Sequence, residues 1–77
     1  MNNARRDQLR GVVALLDRAV SIISNVSDAE ENALDNVPEN LQDSERCEKM
    51  EEALNFLDSA VEDIESAKDH IESVITA

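Results

Sequence analysis

The chain has 77 residues, and 7 Lys plus Arg against 18 Asp plus Glu leave a formal net charge of −11. That length allows one small domain, residues 1–77. One Cys excludes an internal disulfide and a thiolate zinc site, one Gly and one Pro exclude collagen-like or low-complexity chains, and the negative charge disfavours direct contact with nucleic acid or anionic lipid.

The opening Met1-Asn2-Asn3-Ala4-Arg5-Arg6 lacks the apolar stretch and cleavage site of a secretory signal. The longest apolar run, residues 12–16, is far below the roughly 20 residues of a membrane span. A cytoplasmic protein is expected. From Leu9 the apolar residues recur at helical 3,4 spacing: Leu9, Val12, Leu16, Ala19, Ile23, Val26, then Glu30 as a polar intruder, Ala33 and Val37. The spacing predicts a helix over about residues 5–35. Ser27-Asp28-Ala29-Glu30 matches a capping box, so a bend there is open.

Pro38 cannot continue a helix, and it pushes Val37 out of the α region, so a turn is expected over about residues 36–43. Residues 38–41 suit a short helical turn of their own. Ser44, followed by Glu45 and Glu48 in the positive first turn, is the best start for a second helix, about 44–75. Its apolar series is Cys47, Met50, Leu54, Leu57, Val61, Ile64, Lys68 as intruder, Ile71 and Ile75. The expected fold class is all-α: an antiparallel two-helix hairpin whose facing residue numbers sum to about 80, pairing Leu9 with Ile71 and Val12 with Lys68, although the similar heptads also tolerate a slip of seven. The heads of Glu30 and Lys68 should turn to solvent, because an unpaired buried charge is too costly.

The stretch Asn36-Val37-Pro38-Glu39-Asn40-Leu41-Gln42-Asp43-Ser44-Glu45-Arg46, within residues 34–53, resembles a family of small acidic hypothetical proteins of gut bacteria and their phages. Their turn reads N-[LIV]-P-E-[NS]-L-Q-x-S-E-R ahead of an acidic helix. Cys47 stands where that family often has Gly or an aromatic residue. The resemblance implies a mobile-element setting and a helical hairpin, and no specific activity. A proline-started turn plus a Ser-capped helix accounts for the same residue types without any ligand.

The apolar surface exceeds what one hairpin can bury. With Leu9 at heptad position a, helix one is apolar at a and d, and also at e (Val13, Val20, Leu34) and g (Leu15, Ile22, Ala29). In helix two, with Cys47 at a, the g positions are Arg46, Ala53, Ala60, Ala67 and Val74, and Phe56 stands beside them at c. A two-stranded seam needs only a and d. Leu15, Ile22, Ala53, Phe56, Ala60 and Ala67 are therefore the candidate oligomer face, giving a four-helix or larger bundle, with a dimer the first expectation. A monomer with scattered apolar exposure is the competing reading.

The flank at b and e of helix two is acidic, running from Glu48 and Glu51 to Asp69 and Glu72. Residues 1–24 carry four Arg and two Asp, whereas residues 25–77 carry three basic and sixteen acidic residues. An anionic pole forms at the turn, and Glu39, Asp43, Glu45, Arg46, Glu48, Glu51 and Glu52 are the candidate surface for a basic partner protein, such as one that binds nucleic acid. A solvated face that only keeps the protein soluble is the competing reading. Arg5, Arg6, Arg10 and Arg18 are candidate ligands for a small phosphorylated molecule.

No catalytic, metal or cofactor set is expected. Cys47 and His70 are the only thiol and imidazole, and at ~1.5 Å rise per residue they lie about 35 Å apart along one helix. The Glu-x-x-His pair of di-iron bundles would need Glu at Ala67. The expected function is thus a non-enzymatic oligomeric adaptor or inhibitor acting on a host protein. The alternatives are a phosphorylated-ligand sequestering protein and a structural assembly subunit.

Overall fold

Asn2 begins the first helix by accepting the backbone N–H of Arg5 at 2.9 Å. In the computed structural model, which describes residues 1–42 and 44–77, α1 runs Asn3–Asp35 and α2 runs Glu45–Ile75, with a single 3-10 turn, Glu39–Leu41, between them. Helices make up 88% of the structure and the two long ones pack on each other as a hairpin. Pro38 stands at the start of the 3-10 turn, and the N–H of Leu41 closes it on the Pro38 carbonyl at 2.8 Å. The Ser44 hydroxyl caps α2 by accepting the N–H of Cys47 at 3.3 Å. Ser27–Glu30 does not start a new helix: α1 passes through it unbroken, because its backbone N–H groups already bond within the helix.

The packed seam on α2 is the expected one. Cys47 and Met50 are buried, and Leu54, Leu57, Val61, Ile64, Lys68, Ile71 and Ile75 are half-buried. On α1 the seam is turned from the expected one. The half-buried series is Leu9, Val13, Leu16, Val20, Ile23, Ser27, Glu30, Leu34 and Val37, so position e replaces d. Ala19 remains half-buried, but Val12 and Val26, expected inside, are 38% and 52% exposed. This rotation puts the larger of two neighbours inside in two layers, Val20 over Ala19 and Leu34 over Ala33.

Register shifts with the seam. The two half-buried series fall into step when residue numbers sum to about 84, placing Leu9 beside Ile75 and Leu16 beside Lys68. Two cross-helix contacts bracket that value: the Lys68–Asp17 ion pair and the Arg6 guanidinium donating to the Ala77 carbonyl at 3.2 Å. Lys68 therefore faces Leu16 and Asp17 rather than Val12. Its head does not swing free into solvent. Only 15% of the side chain is exposed, and the ammonium pairs with Asp17 and, at 3.5 Å, with Glu65. The hydrogen bond with Asp17 is the main cause of an upward shift of the Lys68 pKa from 10.5; partial burial opposes it, and the charges of Asp17 and Glu65 support it. Glu30 is half-buried and lines an open groove with Glu45, Arg46, Lys49 and Met50.

Candidate functional site

Among the described residues only Cys47 and Met50 are sealed from solvent, and α1 buries none of its 33 residues. The protein is a rod of 60 × 15 × 12 Å. Its radius of gyration is 17.6 Å, against about 11.5 Å for a compact domain of this length. Its accessible surface is 5748 Å², against about 4,650 Å² for a compact monomer of 8.5 kDa.

That excess surface is sorted by chemistry. With the α1 seam at a and e, Val12, Leu15, Ile22, Val26, Ala29 and Ala33 are left exposed, and half-buried Ala19 links them into a second 3,4 row. Leu15 is 68% exposed and Ile22 53%. The matching row on α2 is Ala53, Phe56, Ala60, Asp63, Ala67, His70 and Val74, with Phe56 67% exposed. In an antiparallel pair these rows flank the same side of the seam, because like heptad positions face each other. They form one broad apolar face with Asp63 and His70 at its outer edge. All six candidate oligomer-face residues lie on it, and Val12 and Val26 join them because the α1 seam has rotated. α1 thus has one seam for its neighbour and a second apolar row with no neighbour, while the α2 row beside it is apolar except at Asp63 and His70.

The opposite face is polar and acidic. Between the helices on that side runs a shallow groove lined by Asp28, Glu31, Asp58 and Glu62 together with the seam residues Leu54 and Val61. Toward the turn, Glu45, Arg46, Glu48, Glu51 and Glu52 occupy the first two turns of α2 and Glu39 the 3-10 turn, all exposed. Asp43, expected in this group, lies outside the described residues. Lys49 pairs with Glu45 at 3.2 Å, while Glu45 and Glu48 sit in the positive first turn of α2.

The four N-terminal arginines do not converge. Arg6 bonds to Asn3 and to the Ala77 carbonyl, Arg10 pairs with Asp7, and Arg5 and Arg18 lie on other sides of α1. The Cys47 thiol is buried and donates to the Leu41 carbonyl at 3.4 Å, tying the turn to α2. His70 is exposed near the far end of the same helix. Among the described residues no group of His, Cys, Asp and Glu is placed to hold a metal ion, and no helix is long and apolar enough to cross a membrane.

No family model, curated protein or solved structure matches this chain.

Proposed function

We propose that this protein is a non-enzymatic interaction module. It self-associates through its apolar face and presents its acidic face and turn to a basic surface on another protein. The observation that carries this reading is the two-sided hairpin: a second apolar row on α1 with Phe56, Val74 and the alanines of α2 on one side, and Glu- and Asp-rich flanks on the other. Burying apolar area gains ~25 cal/mol per Å². The acidic flank cannot meet its own copy without stacking like charges, so it is left for a partner of opposite sign. Carboxylates three and four apart on a helix stand ~5–6 Å apart, a spacing that suits a row of Lys or Arg. The likeness of residues 34–53 to phage-associated acidic hairpins supports a mobile-element setting, in which the partner is a host protein.

The test is capture from host lysate by immobilised protein, with and without Glu48→Lys, Glu51→Lys and Glu52→Lys together. The reading expects a basic protein that is released by added salt and lost with the triple variant. Identical capture by the triple variant would remove the acidic face from the account.

A further inference from the structure

We infer that the second copy docks on the apolar face in antiparallel fashion, with the two turns at opposite ends of a four-helix bundle. This rests on the self-association proposed above and specifies its geometry. Two hairpins meeting face to face have two symmetric choices. A two-fold axis along the rod puts both turns at the same end and packs α1 on the other copy's α2. An axis across the rod puts the turns at opposite ends and packs α1 on α1 and α2 on α2.

Charge separates the two. The turn half of the hairpin, residues 21–59, holds 2 basic and 11 acidic residues; the terminal half, residues 1–20 and 60–77, holds 5 basic and 7 acidic ones. With the turns together, two strongly anionic halves lie side by side. With the turns apart, each anionic half lies against the near-balanced half that carries Arg5, Arg6, Arg10 and Arg18. Salt weakens this preference without reversing it.

The rows also match themselves under the transverse axis. On α1, Val12 meets Ala29, Leu15 meets Val26 and Ala19 meets Ile22 of the second copy, every pair of numbers summing to about 41. A hairpin register near 84 then puts Ala60 opposite Ala67 and Ala53 opposite Val74 on α2, small residues that let those helices approach closely. The axis also sets Phe56 beside His70 and brings the two Asp63 carboxylates near each other; these c positions lie at the exposed outer edge of the face, where water and salt screen the Asp63 charges. Summed over all its faces, the rod exposes about 1,100 Å² more than a compact monomer would, and a standard interface takes about 800 Å² from each partner.

Pulsed electron-spin distance measurement on the full chain tests the arrangement, with one nitroxide per copy at Gln42→Cys on the turn and, separately, at Ala77→Cys at the far end. Both sites are exposed, and Cys47 is buried away from the reagent. The antiparallel dimer gives long distances at both sites, near the 60 Å length of the rod. Packed helices lie ~8–10 Å apart, so labels at one end would read below about 30 Å. Short distances at both sites in a dimeric sample overturn the arrangement and leave self-association standing. A monomer by sedimentation in the labelled and unlabelled protein alike overturns both.

Discussion

Lys68 of α2 reaches across the hairpin to Asp17 of α1, and this ion pair holds the one basic residue of the α2 seam. Lys68 is 15% exposed while Asp17 is 58% exposed, so the pair sits at the edge of the seam. Removing Asp17 leaves the ammonium at that edge with Glu65 alone. Asp17→Ala should lower the melting temperature, whereas Lys68→Met, which puts an apolar chain in the seam, should be neutral or stabilising. Thermal melts of both variants check this. A stable Asp17→Ala with an unstable Lys68→Met would reverse the reading.

The same pair sets an alkaline limit. Its hydrogen bond raises the Lys68 pKa above 10.5. A group whose folded-state pKa is raised contributes fully below its unfolded value and loses that contribution as pH climbs through the folded one. The wild type should therefore lose stability above pH 10.5, and Lys68→Met should lose less over the same interval. Parallel pH-dependence in the two proteins would remove the pair from the account.

Among the described residues the best-sealed pair stands near the turn, Cys47 at 1% and Met50 at 8% exposed. Met50→Ala should cost about 2–5 kcal/mol, as other buried large-to-small changes do, a large share of what so small a core supplies. Denaturant titration followed by circular dichroism measures it. The Cys47 thiol should react with a thiol reagent only as fast as the turn end opens, so denaturant should accelerate the reaction.

Neither helix has a basic residue in its last turn, and α1 ends with Asp35 at its negative pole. Asp35→Lys should stabilise the protein by ~0.3–1 kcal/mol at low ionic strength, and salt should erase part of the gain. A melting temperature that falls would mean Asp35 makes a contact beyond its exposed position.

Hairpin, turn and the Ser44 start of α2 were legible in the sequence because Pro38 leaves one break and the 3,4 spacing has no rival period. The side of α1 that packs was not. That helix is apolar at a, d, e and g, so two seams compete, and the choice rests on small size differences such as Val20 against Ala19, with Val26 and Ser27 pulling the other way. Register followed the same error. A sum of 80 faces Lys68 with Val12, and only the rotated seam near 84 brings it beside Asp17. The apolar flank is visible in the sequence as Leu15, Ile22 and Phe56, but the spacing that puts Val12 and Val26 in the core shows only one edge of its α1 half.

Self-association through that seam is the central claim, and mass across a wide concentration range measures it most directly. Light scattering with chromatography should give about 17 kDa, twice the 8.5 kDa chain, for the wild type. Ile22→Asp with Phe56→Glu should shift the mass toward a monomer, while Glu62→Lys on the acidic side should leave it unchanged. A wild type that stays at 8.5 kDa at high concentration would contradict the account.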